Sequence, residues 1–138
     1  MTAMIREGGC LCGAVRYRVS GPLRPVVACH CLQCRKTSGH HVAATAAPKA
    51  AIEITGEVQW FVSSDTARRG FCPVCGSNLF WDSAGETMSI FAGTLEGETG
   101  LSLAGHIFWA DKGDYYEIAD GVSQSLGADL MQTKTVRE

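Results

Sequence analysis

A chain of 138 residues with 46% hydrophobic content is long enough for one cored domain and too short for two of ordinary size. The formal charge is −2, and Lys and Arg are scattered rather than massed, so there is no basic field for phosphates and no nucleic-acid partner is expected. No apolar run approaches the roughly 20 residues that span a bilayer, and the opening MTAMIREGG lacks the apolar core of a signal peptide, so a cytoplasmic protein without membrane attachment is expected.

From the N-terminus, GGCLCG (8–13) sets Cys10 and Cys12 two apart, and in extended backbone both project from one face. Val15, Tyr17 and Val19 then alternate with Arg16 and Arg18, the period-two pattern of a half-buried strand. CHCLQCRKTSG (29–39) carries three cysteines within six positions, followed by a predicted helical turn over 32–38. ATAAPKAA (44–51) is alanine-rich. Ile52 and Ile54 flank Glu53 in a second alternating strand, and further short strands fit VQWFV (58–62), NLFW (78–81), TMSIFA (87–92) and HIFW (106–109). FCPVCG (71–76) sits between two of these, residues 112–118 offer another helical turn, and the tail over about 124–138 has too little apolar patterning for an ordered segment to be expected. Glycines at 8, 9, 21, 56, 70, 76, 85, 93 and 97 punctuate the strands. The reading is a single all-β domain over 1–138 with short irregular or helical pieces, whose thin core gains from metal staples.

Seven cysteines in a reducing compartment argue for metal rather than disulfides, and an odd number leaves one unpaired even under oxidising conditions. They fall as two, three and two. The simplest division joins Cys10, Cys12, Cys72 and Cys75 into one closed four-thiolate zinc site of structural type. Cys72, Pro73, Val74, Cys75 and Gly76 have the form of a zinc knuckle, whose two-residue spacer lets both sulfurs converge. A thioredoxin-like dithiol requires a strand-to-helix context that GSNLFW does not provide. Isolated core cysteines would not cluster at ligand spacings.

Cys29, Cys31 and Cys34 remain as a second zinc site with three protein ligands. His30 points away from the sulfurs in an extended segment and reads as packed or hydrogen-bonded behind them. His40 or His41 could fold back as a fourth ligand; otherwise the fourth position is open, where zinc does chemistry. Three thiolates on a dication leave a net charge of −1, which weakens activation of water and disfavours a hydrolase. Such a zinc suits a fourth thiolate held near a carbon electrophile, so carbon–sulfur bond making or breaking is the predicted reaction class. Arg35 and Lys36 could offset the negative cluster or hold a substrate carboxylate, or simply be solvated.

GGCLCGAVRY, CHCLQCRKTSG and RGFCPVCGSNLFW, followed by AGTL and HIFWADKGDYYEI, resemble the glutathione-dependent formaldehyde-activating enzyme family, which includes centromere-protein-V-like members. The resemblance runs over about 8–121 and uses all seven cysteines in order. It implies a zinc-binding β-tent of packed antiparallel sheets, with a structural zinc on Cys10, Cys12, Cys72 and Cys75 and the reaction-site zinc on Cys29, Cys31 and Cys34. It further implies a carbon–sulfur lyase that handles S-(hydroxymethyl)glutathione, with glutathione and formaldehyde as the small-molecule partners. His106, Trp109, Tyr115 and Tyr116 are similar to the family's C-terminal aromatic stretch and are explained equally by core packing. An enzyme for another thiol or aldehyde adduct and a non-catalytic zinc module that binds a partner are the competing function classes.

Overall fold

The computed structural model describes residues 4–128. Among them, strands account for most of the regular structure, and they assemble into two sheets. Strands β1 (Ile5–Gly9), β2 (Arg16–Ser20) and β5 (Ile52–Thr55) form a three-stranded antiparallel sheet in the order β1-β2-β5. The larger sheet contains β3 (Val26–Cys29), β4 (Val42–Pro48), β6 (Gln59–Val62), β7 (Arg68–Phe71), β8 (Asn78–Asp82), β9 (Thr87–Phe91), β10 (Leu103–Ile107) and β11 (Ser123–Gln124). Its order is β11-β10-β3-β4-β9-β8-β7-β6.

The all-β expectation holds, and each of the six predicted strands has a counterpart. Two pairings depart from the antiparallel rule: β10 runs parallel to β3 and to β11. Strands β1, β3, β4 and β7 carry no alternation strong enough to have been read from sequence. In β4 the cause is plain, because Ala44, Thr45, Ala46 and Ala47 are all buried, and a strand covered on both faces loses its period-two signature. The predicted helix over 32–38 is α1 (Leu32–Ser38), closed by Gly39 in the left-handed conformation at φ 83°.

Two expectations fail near the C-terminal end. HIFW is a strand only to Ile107; Phe108 turns left-handed at φ 54° and ψ 42°, and Trp109–Asp111 form a short 3-10 turn. Residues 112–118 form no helix. There the Lys112 ammonium donates to the carbonyls of Gly113 and Tyr116, while the tyrosine rings settle against histidines. Most of the tail over 124–138 lies outside the described residues; 124 ends β11 and 125–128 follow it.

The main core lies where the small sheet packs on the large one. Val15, Tyr17 and Val19 bury against Leu79, Phe80, Met88 and Ile90, with the Tyr17 and Phe80 rings edge-on at 5.4 Å. Tyr17 reaches that position because residue 8 is glycine: a Cβ there would stand 2.3 Å from the Tyr17 hydroxyl. A smaller cluster of Cys34, Val42, Ala44 and Phe91, flanked by Cys29, Cys31 and Trp81, seats α1 on the other part of the sheet.

Candidate metal centres and active-site cavity

Four sulfurs meet between two turns. Cys10 and Cys12 lie in the β1–β2 connection, Cys72 and Cys75 in the β7–β8 connection, and one Sγ from each lies within 4.8 Å of the others. Cys10 and Cys12 are 3.7 Å apart, Cys12 and Cys72 3.8 Å. Sulfurs about 2.3 Å from a tetrahedral zinc stand about 3.8 Å from one another, so this donor set fits that ion. Cys12 sits in a turn rather than the extended segment expected; the turn, not strand alternation, aligns it with Cys10.

Backbone amides address the sulfurs as thiolates require. Val15 N–H donates to Cys10 at 3.2 Å, and the amides of Val74 and Cys75 donate to Cys72 at 3.3 and 3.4 Å. Ser77, which the sequence did not single out, bonds Cys75 at 3.3 Å and accepts the Leu11 amide at 3.0 Å, tying the two turns together. Its hydroxyl and backbone hold the Cys75 thiol down to about 5.

Cys29, Cys31 and Cys34 form the second cluster, again within 4.8 Å. Cys29 ends β3, Cys31 caps the start of α1, and Cys34 is one turn in; the Cys31 sulfur accepts the Cys34 amide at 3.4 Å. Hydrogen bonds from the Cys29 and Cys34 side chains hold the Cys31 thiol far below its ordinary value. The set has the softness and spacing that suit zinc, with three protein donors. Among the described residues no histidine joins it.

The histidines instead form a network of their own. His30, fully buried, bonds Tyr116 Oη through Nδ1 at 2.8 Å and His106 Nδ1 through Nε2 at 3.0 Å; His106 Nε2 continues to Asp120 at 2.8 Å. This is the packed role expected for His30. Burial pushes His30 down to about 4, and burial lowers His41 as well. The His41 ring lies tilted against that of His30 at 4.5 Å, while His40 bonds the Tyr115 hydroxyl at 2.7 Å, so neither closes the sulfur triplet. Tyr115, Tyr116, His106 and Trp109 thus pack on histidines.

The cation at the triplet is one the sequence did not indicate. Arg69, on β7 and buried, directs Nη1 and Nη2 at Cys34 Sγ at 3.8 and 3.7 Å and also meets Thr37 and Gln33. Arg35 donates outward to the Asp111 carbonyl, and Lys36 is exposed. Only the pairing of β7 beside β8 brings residue 69 to residue 34, and no local motif reports it.

A cavity of about 500 Å³ opens onto the triplet. All three cysteines line it, with Arg69 beside them and Val42, Trp81, Phe91 and Phe108 forming much of its apolar wall. The geometry therefore combines a soft three-donor set, a buried guanidinium and a pocket large enough for a small organic molecule.

Comparisons with known proteins bear on this arrangement. The family model described as "Glutathione-dependent formaldehyde-activating enzyme" matches residues 5–111. An uncharacterized lyase of Schizosaccharomyces pombe is 26% identical over 130 residues, covering 92% of this chain and 95% of that one. A stretch of 37 residues is 54% identical to part of a Halomonas elongata protein whose name carries the same family designation, spanning 26% of this chain and 24% of the other. A crystal structure of a Rhodobacter sphaeroides protein superposes with a TM-score of 0.56 at 25% identity, covering 68% of this chain and 91% of that chain.

Proposed function

The chain belongs to the glutathione-dependent formaldehyde-activating enzyme family, and from that premise we propose that it is a zinc-dependent carbon–sulfur lyase acting on a thiol–aldehyde adduct, with Cys29, Cys31 and Cys34 holding the reaction-site zinc and Cys10, Cys12, Cys72 and Cys75 a structural one. The observation that carries this reading is the three-sulfur cluster that opens on a cavity with no fourth side-chain ligand among the described residues. Bound there, zinc supplies a position at which a substrate thiol is held as its thiolate, a strong nucleophile at neutral pH.

The chain's own residues supply the rest. Arg69 lies against Cys34, so three thiolates, one dication and one guanidinium sum to zero, and an arriving thiolate meets no net repulsion. The cap at Cys31 and the buried seat of Cys34 fix the sulfurs before substrate arrives. The apolar wall of Val42, Trp81 and Phe91 lowers the water content around the aldehyde. Formation of the adduct makes one carbon–sulfur bond, moves the carbonyl π pair onto oxygen and leaves the thiol's proton there; cleavage reverses each change. Glutathione and formaldehyde are the pair that the family name puts first.

Cobalt substitution tests the reading, because the visible spectrum of cobalt reports its coordination. A thiol should change the spectrum and release a proton, whereas its S-methylated analogue, which cannot become a thiolate, should not. A second site that is four-coordinate and indifferent to every thiol offered would overturn the proposal in favour of a non-catalytic module.

A further inference from the structure

The cavity wall says more about the thiol than the cysteines do. Beside the sulfur triplet, Leu32, Val42, Trp81, Phe91 and Phe108 present carbon to the space. Arg69 is the cation of the described lining, and its two Nη atoms are already directed at Cys34, Thr37 and Gln33. The other charged lining residue described is Asp111, an anion.

Phe108 adds an independent sign. It is a bulky residue in the left-handed backbone region, at φ 54° and ψ 42°, which such residues rarely adopt. The conformation is held by the segment around β11: the Phe108 amide donates to the Gly127 carbonyl at 2.8 Å, and the Trp109 amide to Ser125 at 2.9 Å. Strain of this kind persists where surrounding structure imposes it, and here it sets an aromatic ring at the cavity rather than continuing β10.

We infer that the thiol handled at this site carries a compact apolar group, aromatic or branched aliphatic, which extends from the triplet into the cavity between Trp81, Phe91 and Phe108. The inference rests on the thiol–aldehyde reading above and specifies its substrate class. Glutathione carries two carboxylates and an ammonium; lodged in this space, those full charges would find only the neutral side chains of Gln33, Ser64, Thr66 and Ser89 and an Arg69 already committed to Cys34, which return less than the hydration lost. An aryl or branched thiol loses nothing comparable and gains the wall. In the reaction, such a thiol and an aldehyde form one carbon–sulfur bond, the carbonyl electron pair passes to oxygen, and the proton given up by the thiol ends on that oxygen, with no oxidant required.

The test is calorimetric titration of the zinc-loaded protein with phenylmethanethiol and with glutathione, alongside the cobalt spectrum as the readout of sulfur coordination. Phenylmethanethiol should bind at least about tenfold more tightly, with the more negative heat-capacity change that burial of apolar surface gives. Phe108→Gly relieves the left-handed strain while removing a partly buried ring, so the two effects on stability oppose one another and its melting temperature should fall by no more than a few degrees. Its affinity for phenylmethanethiol should drop about tenfold while that for glutathione changes less than about twofold. Glutathione binding as tightly as phenylmethanethiol to the unaltered protein would overturn the inference and leave the thiol site standing, and this comparison holds whether or not the variant folds. A substitution that weakens neither thiol would likewise remove the apolar-wall argument. Silence of the cobalt spectrum toward both thiols would instead overturn the thiol site itself, and the inference with it.

Discussion

Arg69 is the residue whose placement changes the chemistry most. Burying a guanidinium costs several kcal/mol unless it meets negative charge and hydrogen-bond acceptors, and Arg69 finds both in Cys34, Gln33 and Thr37. Its forked, planar head reaches several acceptors at once, which an ammonium cannot do. Arg69→Gln should therefore weaken thiol binding at the triplet by about tenfold, or roughly 1.4 kcal/mol. Arg69→Lys should recover part of the loss by restoring charge without the fork. Cobalt-monitored titration of the three proteins measures this; equal losses in Gln and Lys would assign the effect to hydrogen-bond geometry rather than charge.

At the scale of elements, the two sulfur clusters stand in different relations to the chain. The four-cysteine cluster joins the β1–β2 turn to the β7–β8 turn and closes a loop of about sixty residues, whereas the triplet lies within the end of β3 and one turn of α1. Structural zinc sites bind with about 10–16 kcal/mol, comparable to the stability of a whole domain. Cys75→Ser should therefore lower the melting temperature by about 10 °C or more, and Cys34→Ser by only a few degrees, since a serine hydroxyl can still accept from Arg69. Equal losses would mean that the assignment of one structural and one reaction-site cluster is wrong. The grouping of the sulfurs into four and three was legible from sequence, because cysteines recurring at intervals of two or three residues bring their side chains to one point in a turn. So were strands that alternate, such as β2, and the helix ended by Gly39. What escaped was decided by tertiary position: β4, buried on both faces; Arg69, delivered by strand pairing; and Phe108, turned out of β10 by the backbone around β11. His40 and His41, plausible fourth ligands by proximity in sequence, were drawn to aromatic partners some seventy-five residues away.

For the whole molecule, metal and fold should be coupled unequally. Freshly purified protein should contain up to two zinc ions per chain, and mild chelation should remove them in two phases: a fast one from the cavity-facing triplet with little change in circular dichroism, and a slow one accompanied by unfolding. A single zinc after reconstitution under reducing conditions would contradict this. The parallel pairing of β3 with β10, in which Cys29 stands opposite Ile107, also orders events at the ribosome. Until residues near 107 leave the exit tunnel, β3 can be covered by β4 on one side alone, and its other edge remains unpaired. The nascent chain therefore carries Cys29 at the end of an open strand edge, with Cys31 and Cys34 just beyond it, through most of translation, so the interval before β10 docks is when oxidation and misassociation threaten it most.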